Sequence, residues 1–386
     1  MNRYTEDVQH SCVGHVGLIT LNRPKALNAL SLAMVRELTH VLQTWQNDPQ
    51  VWAVAIRGSN KEGPFGAFCA GGDIRYFHQA ALSGDASLED FFTEEYNLNH
   101  LIHNYPKPYI AFMDGIVMGG GMGISQGGAL RIVTERTQMA MPETHIGLFP
   151  DVGGGYFLSR CADAMGEYLA LTGQVLRGGE AVTVGLADVR APSAELPALW
   201  QALSEKSWPD ANAMVAWLRT QTQATTQAAL TQPPAWQAPA LNAVFSLHTV
   251  RDMVQALQAQ IQEAQAKAKG DEEGGTWASQ TLEALRHRSP LMLHVTLELV
   301  RRGRSLTLAE DLRLERDLVR HCFNTDHLAR RGVSSETVEG IRALAVDKDR
   351  QPKWQPSRIE DVTPEMVLPF FESPWPSSAH PLRHLS

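Results

Sequence analysis

From His15 to Thr134, short apolar runs alternate with stretches whose apolar residues recur every third or fourth position. His15 to Leu21 is a β-rich run closed by Asn22-Arg23-Pro24. Ser31 then reads as the N-cap of a helix carrying Leu32, Val35, Leu38, Leu42 and Trp45 on one face. Val51 to Arg57 predicts a second strand, and a glycine-rich loop leads to Gly72, after which Asp73 to Gln79 opens a helix. Leu88 to Tyr105 is helical in period and ends at Lys107-Pro108. Tyr109 to Met113 and Ile116-Val117 read as strands, followed by glycines, a helix start and a further strand from Arg131 to Thr134. This βα alternation predicts an α/β core around a buried sheet.

Past Ala191 the pattern becomes helical and rich in Ala, Gln and Leu. The Pro-, Thr- and Gln-rich stretch 221–240 reads as an exposed linker or insertion. Arg251 to Ala268 predicts a polar helix, Asp271 to Gly275 a turn, and Ser289–Arg301 and Leu306–His321 two amphipathic helices. No repeat of fixed period is visible. The tail is mixed from about Glu339, and Pro374 to Ser386 is expected to fray.

Length and composition narrow the function classes. A chain of 386 residues can bury a large core, and a net charge of −8 disfavours a nucleic-acid partner. The four cysteines, Cys12, Cys69, Cys161 and Cys322, lack CxxC spacing, so they read as reduced thiols and not as a zinc site. The first residues show neither a secretory apolar core nor an Arg-rich leader, and no run is long enough to span a bilayer. Those features give a cytoplasmic protein as the expectation.

The candidate chemistry is concentrated in four places. Phe68 to Ile74 (FCAGGDI) and Met118 to Gly123 (MGGGMG) each run from glycines into a helix start, where unpaired amides can donate to an oxygen. Gly72 and Gly120 are the candidate pair of main-chain donors for an oxyanion hole. Glu143 and Asp151 flank the apolar Ile146, Leu148 and Phe149, a setting that favours shifted carboxylates, although either acid could instead serve a helix N-terminus. Glu95 shares a helical stripe with Phe91, Leu98, Ile102 and Tyr105, so it points to a pocket or snorkels from the stripe's edge. Gly123 to Gly127 also fits GxSxG, which makes Ser125 a candidate esterase nucleophile. Phosphate and dinucleotide fingerprints are absent, and the histidines, His100 and His103 included, form no metal signature.

In their order these motifs resemble the crotonase (enoyl-CoA hydratase/isomerase) superfamily: NRPKALNAL from Asn22, FCAGGDI, the MGGG loop and the MPE segment are its successive landmarks. MPETHIGLFPDVGGGYFLSR from Met141, EEYNLN from Glu94 and DKDRQPKW from Asp347 are similar to the branch that hydrolyses short β-hydroxyacyl-CoA thioesters. The resemblance implies a spiral of ββα units with a helical C-terminal region. It divides the chain into a crotonase-like catalytic core over 1–190, a helical region over 191–288, and C-terminal helices and tail over 289–386 that complete the site or an oligomer. It implies an acyl-CoA substrate, 3-hydroxyisobutyryl-CoA of valine breakdown being the expected one, with no cofactor beyond the CoA of the substrate. The thioester oxygen would lie between the Gly72 and Gly120 amides, Glu143 and Asp151 would be catalytic, and Glu95 and Gly120 would join them in lining the acyl site. Lys25, Gly72, Asp73, Ile74 and Arg75 would follow the CoA arm.

Three departures stand out. Hydratases of the superfamily carry a glutamate where this chain has Gly123, VSSET precedes EGIRA, and the helical stretch after Trp208 is extra. A hydratase or isomerase, a serine esterase using Ser125, a non-catalytic acyl-CoA binding protein and a homo-oligomer built through the C-terminal helices all stay open.

Overall fold

The computed structural model describes residues 4–231, 238–267 and 277–386. Strands β1 (Val8–Val13) and β2 (Val16–Leu21) form a hairpin, and Ser31 caps α1 (Leu32–Gln46) by accepting from the Met34 amide at 3.3 Å. Strand β3 (Ala53–Asn60) and the two-residue β4 (Gly63–Pro64) lead to α2 (Ile74–Ser83) and α3 (Ser87–His103). Then come β5 (Tyr109–Met113), β6 (Ile116–Met118) and α4 (Gly120–Gln126), and next β7 (Leu130–Val133) and β8 (Gln138–Ala140). Helices α5 (Gly154–Leu158) and α6 (Met165–Thr172) follow, with β9 (Leu176–Arg177), α7 (Gly178–Thr183) and β10 (Val189–Arg190) closing the alternating part.

The strands build two sheets at once. One has the order β1-β2-β3-β5-β7-β10, with β4 paired to β3; the other has the order β6-β8-β9. In each turn of the chain a strand of the first sheet hands over to a strand of the second, as β5 does to β6 and β7 to β8, and a helix then returns. This is the α/β spiral of ββα units that the sequence led us to expect. From β2 to β10 the first sheet is parallel and carries apolar side chains on both faces, as buried parallel sheets do. On β3, Val54 and Ile56 face the main core, while Ala53 and Ala55 face a second one.

That second core explains the extra helical stretch. Leu199, Trp200 and Leu203 of α8 (Leu196–Glu205) and Met214 and Leu218 of α9 (Ala211–Leu230) cover the far face of the sheet. The stretch expected as a linker over 221–240 is therefore helical to Leu230. Its threonines satisfy themselves and tie down β10: Thr226 accepts from the Arg190 amide at 2.9 Å, and Thr225 donates to the Arg190 carbonyl at 2.5 Å. Residues 232–237 of that stretch and the turn expected at 271–275 lie outside the described residues.

Helices α10 (Ala238–Phe245), α11 (Val250–Lys267), α12 (Trp277–Arg286), α13 (Pro290–Gly303), α14 (Leu308–Phe323) and α15 (Glu336–Ile341) make the C-terminal region. Among the described residues no helix is long and apolar enough to cross a membrane. The tail does not fray as expected. Leu382 and Leu385 are buried, Arg313 of α14 donates to the Leu385 carbonyl at 2.8 Å, and His384 reaches Asn97 of α3 at 2.7 Å. Two leucines spaced to reach one groove were a burial signal inside a polar, proline-rich segment.

Candidate active site

Where α2, α3, α4 and the loops after β8 converge, the structure encloses a cavity of about 220 Å³ lined by Gly72, Ile74, Glu95, Gly120, Glu143 and Asp151. Six of the residues singled out from the sequence thus meet at one place. Its volume suits a short acyl group and not a whole coenzyme.

Backbone bridging aims the two glycine amides. Leu30 donates to the Gly71 carbonyl at 2.8 Å and accepts from the Asp73 amide at 3.0 Å, so the intervening Gly72 turns its own N–H and C=O away from Leu30. Gly120 is the first residue of α4, where a helix leaves an amide without an internal partner. The two loops touch, since a Cβ on Gly71 would lie 3.6 Å from the Gly120 nitrogen. Gly119 makes the turn at φ +48°, and a Cβ there would lie 2.7 Å from a Glu143 oxygen. A Cβ on Gly120 would lie 2.5 Å from Glu95 Oε1. Main-chain donors and carboxylates therefore share one small space.

Each carboxylate is buried. Glu143 opens a 3₁₀ turn (Glu143–Ile146) after β8, and its Oε2 has no hydrogen-bond partner. Glu95, in the middle of α3, does not snorkel; it is 2% exposed and its Oε1 is likewise unpartnered. Asp151 caps no helix. The position before α5 belongs to Gly153, and Asp151 Oδ2 instead accepts from the Tyr96 hydroxyl at 2.8 Å. Burial pushes Asp151 up to about 6, against the lowering effect of the Tyr96 bond. Burial, and then the nearby charge of Asp151, hold Glu143 and Glu95 well above the usual carboxylate range. Of the three, Asp151 is the acid that ionises first as pH rises.

Tyr96 is a site residue that the sequence reading did not single out. The signal was a tyrosine four residues after Phe92 and one after Glu95 on the buried side of the helix, since a buried phenol needs an acceptor. Other candidates lie apart from the cavity. Lys25 and Arg75 are exposed, and Asp73 caps α2 through the Tyr76 amide at 3.3 Å while pairing with Arg23 at 2.7 Å. Ser125 is no nucleophile: it is fully buried in α4 and its hydroxyl donates to the Gly121 carbonyl at 2.8 Å. The strand-to-helix turn precedes it by a full turn of helix, so the GxSxG match does not place it at an elbow. Among the described residues no group of three His, Cys, Asp or Glu side chains is placed to hold a metal ion.

The position of the missing hydratase glutamate is closed. A Cβ on Gly123 would lie 2.6 Å from the Val152 Cβ and 3.0 Å from the Asn99 side chain. The loop that brings Asp151 to the cavity therefore occupies the space a side chain at 123 would need.

The two-sheet spiral and this cavity define an acyl-CoA-type α/β enzyme fold, and the family model of enoyl-CoA hydratase/isomerase matches residues 16–371. The chain belongs to that family. It is 40% identical to the mitochondrial 3-hydroxyisobutyryl-CoA hydrolase of Xenopus laevis, over 93% of this chain and 87% of that protein. It is 37% identical to the rat enzyme of the same name, over 97% of this chain and 91% of that protein. A solved structure described as a carnitinyl-CoA dehydratase from Mycobacterium thermoresistibile superposes with a TM-score of 0.79 at 35% identity, covering 96% of this chain and 98% of that one. The cytoplasmic expectation is overturned: these hydrolase relatives are named as mitochondrial. That expectation stood on cysteine spacing, the first residues and the lack of a spanning run, none of which reports the compartment in which these relatives are named.

Proposed function

We propose that this protein hydrolyses 3-hydroxyisobutyryl-CoA to 3-hydroxyisobutyrate and CoA, as a step of valine breakdown. The observation that carries this reading is the meeting of Glu143 and Asp151 with the Gly72 and Gly120 amides around one short-acyl cavity. The names of relatives near 40% identity support the substrate.

The thioester oxygen sits between the two amides, which stabilise the tetrahedral oxyanion by about 3 kcal/mol per donor. The resting charge lies mainly on Asp151, and Glu143 becomes a carboxylate as Asp151 takes over its proton. Glu143 then follows one of two routes. As general base, it accepts a proton from water while the hydroxide oxygen bonds to the carbonyl carbon. As nucleophile, it forms a mixed anhydride that water then cleaves. Either way the C–S bond breaks, the sulfur leaves with a proton relayed through the Asp151–Glu143 pair, and water supplies the new carboxylate oxygen. The unpartnered Glu95 Oε1 receives the substrate's β-hydroxyl, which selects against acyl groups lacking it. The coenzyme arm leaves past Ile74 toward Lys25 and Arg75. The balance needs only thioester and water.

A second reading, hydration or isomerisation of an enoyl-CoA, draws on the solved neighbours described as a dehydratase and an enoyl-CoA hydratase. The closed space at Gly123 speaks against it, because hydration of a double bond uses a second carboxylate on that side. Thiol release from 3-hydroxyisobutyryl-CoA and from crotonyl-CoA separates the two readings. Release from the first, abolished in Glu143→Gln, supports hydrolysis; loss of crotonyl absorbance without free thiol would replace it by hydration. Incorporation of oxygen-18 from water into Glu143 after one turnover marks the anhydride route.

A further inference from the structure

The triple glycine after Asp151 does nothing in the scheme above. Two of its amides, however, point at a buried acid from a distant helix, and the next amide, of Tyr156, points at a second. Glu315 of α14 accepts from the Gly153 amide at 2.8 Å and from the Gly155 amide at 3.0 Å, while Asp311 accepts from the Tyr156 amide at 2.8 Å. Both acids are fully buried. Only a residue without a side chain allows that approach: a Cβ on Gly155 would lie 2.3 Å from Asp311 Oδ1. The segment so gripped is the turn that follows Asp151, where Val152 has φ +56° and Gly153 φ +90°. A β-branched residue avoids that left-handed region unless its surroundings hold it there. Val152 is also the residue that closes the space beside Gly123.

We propose that Asp311 and Glu315 are positioning residues for the reaction, a carboxylate clamp that holds the Asp151 turn and sets the orientation and charge of Asp151. The proposal rests on the thioesterase reading only for its kinetic readout. Five-residue α5 is too short to hold its own N-terminus, and the clamp supplies acceptors for three of its orphan amides. Two acids side by side cannot both ionise readily, so the pair keeps a proton between them. Burial pushes Asp311 up to about 7, and burial together with the charges of Asp311 and Asp151 keeps Glu315 protonated to higher pH. The other titratable or charged groups at this face of α14 are Tyr96 of α3, beside Glu315, and Arg160 after α5, beside Asp311. Glu89 of α3 is held by Arg316 and Arg320, and Glu336 of α15 by Ser289 and Arg330. The clamp and Asp151 thus sense each other across the turn.

Glu315→Gln keeps the shape, but it turns an NH₂ group toward one of the two amides. The expected result is a 10- to 100-fold lower kcat for thiol release, KM within threefold of wild type, and an acid limb of the pH profile moved by at least half a unit. Asp311→Asn should move the limb in the same direction with a smaller loss of kcat. In the Asp151→Asn background Glu315→Gln should add less than a twofold change, because its effect runs through Asp151. An unmoved pH limb, or a loss that multiplies fully on top of Asp151→Asn, overturns the proposal. If wild type releases no thiol from any CoA ester, the functional reading fails. The clamp is then judged by melting temperature against pH: coupling between Glu315→Gln and Asp151→Asn upholds it, and strict additivity from pH 5 to 8 ends it. Should Glu315→Gln not fold, Asp311→Asn carries the same comparisons.

Discussion

Asp151→Asn should make the protein more stable and less active, and the gain should depend on pH in one direction. Asp151 is 5% exposed and holds its proton up to about 6, whereas an unfolded aspartate loses it near about 3.9. Below the unfolded value both states are protonated and burial exacts nothing. Between the two values the unfolded chain is ionised while the folded one resists, so stability falls as pH rises, and the loss is complete above about 6. A difference of roughly two pH units corresponds to about 3 kcal/mol. Asparagine removes that penalty, still accepts from Tyr96, and can donate to the unpartnered oxygens of Glu95 and Glu143. Relieved of the Asp151 charge, those two acids ionise at lower pH, which reduces their own penalty and adds to the gain, so about 3 kcal/mol is its lower bound at pH 8. With an unfolding entropy of roughly 0.8 kcal/mol/K for a chain of this size, the melting temperature at pH 8 rises by about 4 °C or more. Calorimetry at pH 8 and pH 4 measures it, with thiol release assayed alongside. A variant that is less stable at pH 8, or that differs equally at both pH values, would refute the picture of a buried acid carrying charge against its surroundings.

Three further outcomes are expected. Ser125→Ala should leave thiol release within twofold, at a cost of about 1 kcal/mol for the lost hydrogen bonds, and covalent labelling by a fluorophosphonate should be nil. Gly120→Ala should lower kcat by about a hundredfold or more, because its methyl would meet Glu95 Oε1 and displace a main-chain donor, with CD spectra confirming the fold. Leu382→Ala should destabilise by about 2–4 kcal/mol in chemical denaturation, since that side chain is fully buried; a frayed tail would give no change.

Much of the fold was visible in the sequence because its signals are local. Ser31, the α3 stripe and the strands at 109–113 and 131–134 follow from capping and periodicity alone. Glu143, Asp151, Gly72 and Gly120 could be singled out because acids and glycines are conspicuous in apolar stretches. What stayed hidden depends on contacts across long separations. Whether Glu95 faced a cavity or solvent was decided by α4 packing against it. The helical state of 221–230 came from threonine hydroxyls finding β10, which composition does not reveal. The burial of the tail required α3 and α14, whose Asn97 and Arg313 hold His384 and Leu385. Asp311 and Glu315 looked like the ordinary polar face of an amphipathic helix until the glycines came to meet them.

The grip of Glu315 on Gly153 joins positions 162 residues apart. During synthesis the acids and amides around the cavity leave the ribosome long before α14 does. A nascent chain therefore has the reactive groups but no hold on the turn that aims one of them, and valine at 152 is free to relax to ordinary backbone angles. Thioester cleavage should switch on late in biogenesis, when the last long helix docks.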